Sequence, residues 1–196
     1  MLGTDLIGVV TQTEGSRRRF LSGVGKTTLS ATAVALLAGR PALAAMSGGD
    51  TSSDVGILNS ALGLEYGAIA AYQIGAESGL LQKPVLHIAV EFQSQHKQHA
   101  DILSSTITKL GGTPVSAMKP ADYHYPVSSL KTQADVLRFA ASLEKGAVSA
   151  YLGAVPAFQN RDLAKAAASI LGDEAMHWAI LRHALGENPV PEAFVS

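Results

Sequence analysis

Hydrophobic residues recur at helical spacing along four long segments of the chain. In the first segment, Leu58, Leu62, Glu65, Ile69 and Tyr72 follow one another at intervals of three or four positions, and all but one are apolar. This is the pattern of a helix that turns one face towards a core. No segment shows the sustained alternation of a β-strand. The sequence therefore predicts an all-α protein with helices over residues of about 54–78, 84–110, 132–155 and 162–185.

Glycine and proline residues separate these segments. Gly79, Gly111 and Gly186 follow the first, second and fourth segments, at the position that glycine favours after a helix C-terminus. Residues 113–129 contain three prolines and cannot form one regular helix. Because this connection is unusually long, we expect it to cross along the length of the molecule. Four helices with one long middle connection predict a four-helix bundle.

The two halves of the helical region repeat one another. Glutamate, tyrosine and histidine coincide when the halves are aligned, which alanine-rich helices alone would not produce. We therefore expect two helical hairpins of one design that pack as a pseudo-symmetric pair. The aligned stretches are residues 61–72 with 140–151 and residues 96–103 with 174–181.

Charged and imidazole side chains on the apolar helix faces form a candidate metal site. A carboxylate on a core-facing stripe costs several kcal/mol unless it is protonated, paired or bound to a metal. A glutamate from each of two helices, with a Glu-x-x-His pair from each of the other two, is the inward-facing ligand set of di-iron and di-manganese bundles. The candidate ligands here are Glu65, His96, His99, Glu144, Glu174 and His177.

His96 stands where this ligand pattern has a glutamate. Three carboxylates leave one positive charge of two divalent ions unbalanced, and a neutral imidazole does not readily bridge two metals as a carboxylate does. Glu91 is no obvious substitute, because it points some 140° away around the same helix. We expect an asymmetric site for one or two ions, with a fuller half at Glu144, Glu174 and His177 and a modified half at Glu65, His96 and His99.

Several short motifs carry a family resemblance. They are Ala150–Ala154, Ala166–Leu171, the Glu174-x-x-His177 pair and the tail at residues 191–195. Together they resemble the ferritin-like domain of desiccation-related proteins over most of residues 54–196. The resemblance implies a ferritin-like four-helix bundle, often exported, whose activity is poorly defined. The family pattern carries over to Glu65, His99, Glu144, Glu174 and His177, and it breaks at His96.

The N-terminal residues have the order of an export signal. The paired arginines of Ser16–Leu21, followed by Phe-Leu, resemble a twin-arginine signal. The apolar stretch at residues 27–39 is too short and polar for a good membrane span, and an Ala-x-Ala site ends at Ala44. We expect a signal peptide over 1–44, a short flexible leader over 45–53 and the bundle over 54–196. The twin-arginine machinery would then be the partner of the precursor, and the mature protein would be periplasmic or otherwise exported.

Composition and charge narrow the classes of function. With 47% hydrophobic residues the chain is too apolar for a disordered protein, and a net charge of −1 argues against a nucleic-acid binder. The absence of cysteine excludes disulfides, thiolate nucleophiles and iron–sulfur clusters. Any metal must therefore be held by His, Asp or Glu.

Two functions remain open from the sequence. The first is a metal-dependent oxidoreductase or iron-handling protein that holds iron or manganese and oxidises iron, destroys peroxide or attacks a substrate. The second is a non-catalytic, stress-associated or partner-binding bundle with a degenerate metal site, in which the acidic and imidazole groups only hydrogen-bond one another. A sensor anchored by its N-terminus fits less well with the Ala-x-Ala site. The sequence does not decide whether the protein is an enzyme or a homo-oligomer.

Overall fold

The computed structural model describes residues 51–195, which form four long α-helices and no β-strand. The predicted helix ends agree with the structure to within one residue, except that the first helix begins three residues earlier than expected. The prediction of an all-α protein is confirmed. The helices are α1 (Thr51–Glu77), α2 (Lys83–Lys109), α3 (Gln133–Ala154) and α4 (Arg161–Ala184).

Side-chain hydrogen bonds fix where α3 and α4 begin. The Thr132 amide donates to Asp135 Oδ2 at 2.9 Å, and the Asp135 amide donates to the Thr132 hydroxyl at 3.2 Å, which forms a reciprocal cap. The Asn160 side chain accepts from the Asp162 amide at 2.9 Å before α4. Glycines with a left-handed backbone conformation follow the C-terminal ends of α1, α2 and α4, as predicted; they are Gly79, Gly111 and Gly186.

The helices pack as two hairpins, with α1 along α2 and α3 along α4. The hairpins meet mainly where α1 lies against α3, whereas α2 and α4 approach one another less closely. Between α2 and α3 the chain makes a long crossover with short 3-10 turns at Pro120–Tyr123 and Val127–Ser129. This is the four-helix bundle with a long middle connection that the sequence predicts.

The crossover is attached to the outside of α1. Asn59 donates to the Thr113 carbonyl at 3.1 Å and accepts from the Val115 amide at 2.8 Å. Further along, the rings of Tyr123 and Tyr125 stack with their centroids 5.4 Å apart. The Tyr125 hydroxyl lies so close to Gly67 that a Cβ atom there would approach it to 2.9 Å. A glycine in the middle of α1 therefore allows the crossover to pack against this helix.

Two apolar clusters fill the interior of the bundle. One contains Leu62 on α1 and Ile170 on α4, and the other contains Tyr72 on α1 and Trp178 on α4. Along α1 the candidate ligand Glu65 falls between these two clusters. The six candidate ligands thus form a polar layer with apolar core on either side.

Residues 51–195 include no helix with the length and hydropathy needed to cross a membrane. The predicted twin-arginine signal, its cleavage site at Ala44 and most of the predicted leader lie outside the described residues.

Candidate metal centre

The polar layer brings together all six candidate ligands, and every helix contributes to it. Glu65 comes from α1, Glu144 from α3 and Glu174 from α4, and these three carboxyl groups are at most 2% exposed. The imidazoles come from α2 and α4, and His99 is the most accessible of them, with 16% of its side chain exposed. The layer is therefore nearly dry, and it meets solvent at its His99 side.

The donor atoms form two overlapping groups. Within each group, one nitrogen or oxygen atom from every residue lies within 4.8 Å of the others. Both groups contain His96 and Glu174, so these two side chains lie between the two candidate ion positions. The groups are Glu65, His96, His99 and Glu174, and His96, Glu144, Glu174 and His177.

This grouping differs from the one that the sequence suggests. The sequence predicts one half of the site on each hairpin, with His96 in the Glu65 half and Glu174 in the Glu144 half. In the structure each hairpin instead contributes one residue to both groups. The reason is that His96 and Glu174 occupy equivalent positions of the internal repeat, on α2 and α4, and both side chains reach the middle of the layer.

His96 turns its two ring nitrogens towards different carboxylates. Its Nδ1 lies 2.8 Å from Glu65 Oε2, and its Nε2 lies 3.2 Å from Glu144 Oε1. Glu174 Oε1 is 3.6 Å from the same Nδ1 atom. The imidazole therefore connects glutamates of both hairpins, and it is only 1% exposed.

His99 and His177 have a different arrangement, because only Nδ1 of each ring faces the glutamates. His99 Nδ1 lies 3.2 Å from Glu174 Oε1, and His177 Nδ1 lies 3.6 Å from Glu144 Oε1. Their Nε2 atoms point away from the centre. A ring that donates its outer N–H to a fixed acceptor keeps the lone pair of the inner nitrogen free for an ion.

Two residues that are not among the candidates predicted from the sequence supply these outer acceptors. Gln95 Oε1 lies 2.6 Å from His177 Nε2, and Asp173 Oδ2 lies 3.5 Å from the same nitrogen. Asp173 Oδ2 is also 3.3 Å from His99 Nε2. The sequence did contain a signal for both residues, because each directly precedes a candidate ligand at the same position of the internal repeat.

Two tyrosines connect the hairpins through the glutamates. The Tyr151 hydroxyl donates to Glu65 Oε1 at 2.6 Å, and the Tyr72 hydroxyl donates to Glu144 Oε1. Each tyrosine lies seven residues after a glutamate of its own helix, but its hydroxyl donates to the glutamate of the other helix. This crossed pairing shows that α1 and α3 run antiparallel. Both rings belong to the core, and the sequence pattern does not predict their bonds to carboxylates.

Burial and mutual ion pairing govern the charges of the layer. Burial alone would raise the pKa of Glu65, but hydrogen bonds and charge from His96 and His99 outweigh it and lower the pKa to about 2. The pKa of Glu144 is lowered for the same kind of reason, through His177 and His96. Burial raises the pKa of Glu174, which also lies among the other carboxylates. Glu174 is thus the carboxyl group that most favours a proton when no cation is near.

The imidazoles respond in the opposite direction. Burial alone would lower each pKa, but the surrounding carboxylates raise it to about 10 for His96, 11 for His99 and 9 for His177. In the metal-free protein the surrounding carboxylates therefore favour the protonated form of these rings. A metal ion would have to replace these protons before it could bind the nitrogens.

Several buried polar atoms of the layer have no hydrogen-bond partner. Both carboxylate oxygens of Glu174 are among them, although one lies 3.2 Å from His99 Nδ1, since that contact lacks hydrogen-bond geometry. Unpaired buried polar atoms are uncommon and costly in folded proteins. Nitrogen and carboxylate oxygen are also the donors that iron, manganese and zinc accept. The unpaired ligand atoms, which fit a metal ion, are His99 Nδ1, Glu174 Oε1, Glu174 Oε2 and His177 Nδ1.

Comparison with known proteins agrees with this architecture. The chain is similar to a conserved hypothetical protein of Mycobacterium tuberculosis at 26% identity, with a TM-score of 0.63 and coverage of 73% of this chain and 97% of the other. It is also similar to a dodecameric thioferritin, the bacterioferritin-related protein of Bacteroides fragilis, at 22% identity. For that pair the TM-score is 0.59 and the coverage is 79% of this chain and 92% of the other. No curated protein sequence matches the chain.

The family model for the ferritin-like domain matches residues 53–187 of the chain, which include all four helices except the first two residues of α1. The match covers well over half of the chain. It also includes every residue of the polar layer. The chain therefore belongs to the ferritin-like domain family.

Proposed function

We propose that this chain is an exported ferritin-like protein that binds one or two iron or manganese ions in its polar layer and uses them in oxidation, peroxide removal or iron handling. One observation carries the proposal: four buried donor atoms of the layer have no hydrogen-bond partner, and they belong to three residues that the donor groups bring together. Ions in the two donor groups would satisfy all four atoms, since one group holds His99 with Glu174 and the other holds His177 with Glu174.

The residues of the layer would have different roles in binding such ions. The glutamates supply negative charge, and His99 and His177 supply neutral nitrogen donors whose outer N–H groups are oriented by Asp173 and Gln95. Bound iron or manganese would supply the capacity to exchange electrons with dioxygen, peroxide or ferrous iron. The apolar core on either side keeps bulk water out, and the partly exposed His99 gives the layer contact with solvent.

Metal analysis of the folded protein tests this proposal. We expect near-stoichiometric iron or manganese in protein purified from its native compartment, and loss of that metal in Glu144→Ala and Glu174→Ala variants that remain helical. Glu91→Ala is the matched control, because Glu91 is an exposed carboxylate on α2 outside the layer. Metal content that is unchanged in both layer variants would remove the assigned site.

A second candidate function is supported by the ion pairs within the layer. His96 lies between Glu65 and Glu144, so the metal-free side chains already compensate much of one another's charge. A stress-associated or partner-binding bundle would need no more than this. Such a protein would contain no stoichiometric metal when purified, would take up none on incubation with Fe²⁺ or Mn²⁺, and would be stable without it.

Export is the part of the proposal that rests on the N-terminal sequence. Changing both Arg17 and Arg18 to lysine should leave the precursor in the cytoplasm, because a twin-arginine signal requires the arginine pair. Arg19→Lys is the matched control, since it removes a neighbouring arginine and leaves the pair intact. Immunoblots of cytoplasmic and periplasmic fractions provide the measurement. Unchanged secretion of the double variant would refute this signal type.

Assembly into a homo-oligomer is a further part of the proposal. The Bacteroides fragilis protein is described as dodecameric, and its similarity to this chain is compatible with assembly of the bundle into a larger shell. Light scattering of the purified mature protein would establish the number of chains.

A further inference from the structure

The arrangement around His96 distinguishes it from the other two imidazoles of the layer. His99 and His177 each direct one nitrogen inwards and the other to an acceptor outside the donor groups. Within residues 51–195, His96 has no such outer acceptor. Its Nδ1 and Nε2 lie within 3.2 Å of two different candidate ligands, Glu65 and Glu144.

The two nitrogens of His96 also lie next to glutamates of different donor groups. Nδ1 is next to Glu65, which occurs only in the donor group with His99, and Nε2 is next to Glu144, which occurs only in the donor group with His177. The ring therefore stands between the two positions with one lone-pair direction towards each. A side chain placed in this way can bind both ions at once if it carries no ring proton.

The charge of the ligand set favours the same arrangement. Two divalent ions bring four positive charges, and Glu65, Glu144 and Glu174 supply three negative charges. An imidazole that has lost its ring proton supplies the fourth. The ligand set itself is then neutral without an external anion, which matters because an uncompensated charge in a dry interior is costly. The Asp173 carboxylate is not part of this set, because it lies outside both donor groups, behind the outer nitrogens of His99 and His177, and is 24% exposed.

We propose that His96 bridges two divalent metal ions as an imidazolate, with Nδ1 bound to the ion on the Glu65 side and Nε2 bound to the ion on the Glu144 side. This inference rests on the proposed metal-binding function. The protonated ring loses one N–H proton to solvent when the first ion binds one of its nitrogens. When the second ion binds, the remaining N–H bond breaks, its proton leaves to solvent and the electron pair forms the new nitrogen–metal bond. No atom changes its oxidation state.

The bridge predicts a longer distance between the two ions than a carboxylate bridge gives. With metal–nitrogen bonds of about 2.0–2.1 Å on both sides of the ring, the ions would be about 6 Å apart, against about 3.5–4 Å in ordinary two-metal sites. The distance is therefore a direct test that does not depend on any activity.

Titration of the full-length mature protein with Cu²⁺ provides the experiment. Copper is chosen because imidazole nitrogens bind it strongly and because its unpaired electron gives a paramagnetic resonance signal. We expect the first equivalent to give an isolated-ion signal. The second equivalent should release one proton from the His96 ring, in addition to any proton displaced from His99 or His177. It should also diminish the resonance signal, because the two ions are coupled through the ring. X-ray absorption should give a separation of about 6 Å between the two copper ions.

Two variants of His96 provide a further test, and circular dichroism verifies that each one remains helical. His96→Gln should bind its second ion at least about 100-fold more weakly and show no coupling, since the amide cannot bridge in the same way. His96→Glu should instead hold a pair about 3.5–4 Å apart without release of a ring proton, as ordinary carboxylate-bridged sites do.

The outcomes separate this proposal from the one on which it rests. Two ions at the shorter separation in the unchanged protein, or two independent signals, would overturn the bridge and leave metal binding intact. Binding of a single ion would do the same. If neither Cu²⁺, iron nor manganese binds in stoichiometric amount, both proposals fail.

Discussion

Each ligand candidate of the polar layer depends on a residue from another helix. Glu65 on α1 contacts His96 on α2 and accepts from Tyr151 on α3, and His99 on α2 approaches Asp173 on α4. These partners hold the side chains in position before an ion arrives. Pre-orientation of this kind lowers the conformational cost of binding an ion.

Asp173 is expected to affect metal binding without being a ligand. Asp173→Asn removes the charge shared by the outer nitrogens of His99 and His177, and residues in this role typically change metal affinity by about 10- to 100-fold. Affinity for Mn²⁺ can be measured by competition with a chelating dye. Asp101→Asn is the control, because Asp101 is an exposed acid on α2. Equal affinities of the two variants would contradict the role of Asp173.

Residue chemistry was only partly predictable from the sequence. The internal repeat and the helical period were sufficient to select six side chains that share the bundle interior, because both depend on spacing along single helices. Their role as metal ligands stays a prediction. The contact of Asp173 with His177 lies within α4 at a spacing of four residues. The contacts of Gln95 with His177, of Asp173 with His99 and of the two tyrosines with the glutamates join different helices, and no spacing along one helix determines them.

At the scale of elements, the crossover depends on a small residue of α1. Gly67→Ala should gain up to about 1 kcal/mol of helix propensity but push a methyl group against the Tyr125 hydroxyl, at 2.9 Å for an undisplaced ring. Gly63→Ala, on the same helix, meets no atom within 4 Å and should gain the propensity alone. We expect urea denaturation to show a smaller gain, or a loss, for Gly67→Ala.

Limited proteolysis gives a second measurement for the same pair of variants. Cleavage within residues 113–129 should be faster in Gly67→Ala than in Gly63→Ala, because the displaced ring of Tyr125 would loosen the attachment of the crossover to α1. Equal cleavage rates together with equal stabilities would show that the ring moves aside at no cost.

Element boundaries were highly predictable here, and the path of the crossover was not. Helix ends are marked by local features such as the cap at Thr132 and the glycines after three helices. The start of α1 was predicted three residues late because Thr51, Ser52 and Ser53 are not strong helix formers. The path of the crossover depends on the contact between Tyr125 and Gly67, which are 58 positions apart in the sequence.

For the molecule as a whole, the polar layer should make the stability of the metal-free protein depend on pH. Imidazoles whose pKa rises from 6.5 to about 9–11 on folding stabilise the protein fully below pH 6.5, and this contribution is lost as the pH rises through 9–11. Glu65, with a pKa lowered to about 2, contributes stability above pH 4.5 that is lost as the pH falls towards 2. Stability should therefore be greatest near pH 4.5–6.5.

Urea denaturation of the chelator-treated protein provides the measurement. Since one pKa unit corresponds to about 1.4 kcal/mol, the free energy of unfolding should fall by more than about 1.4 kcal/mol between pH 6.5 and pH 9. His99→Gln should reduce this fall. His183→Gln is the control, because His183 is exposed at the end of α4. A free energy that is constant over this range would argue against protonated imidazoles in the folded layer.

Because of the tyrosine–glutamate bonds between α1 and α3, the two hairpins depend on one another. Each hairpin carries one hydroxyl that only the other hairpin's carboxylate accepts, so neither half satisfies its own buried groups. Two copies of a single hairpin, brought together about a twofold axis, could form the same pair of bonds. The repeat in this chain is therefore what fusion of a symmetric homodimer would leave, and His96 and Glu174 are one of the aligned pairs in the polar layer at which the two halves differ.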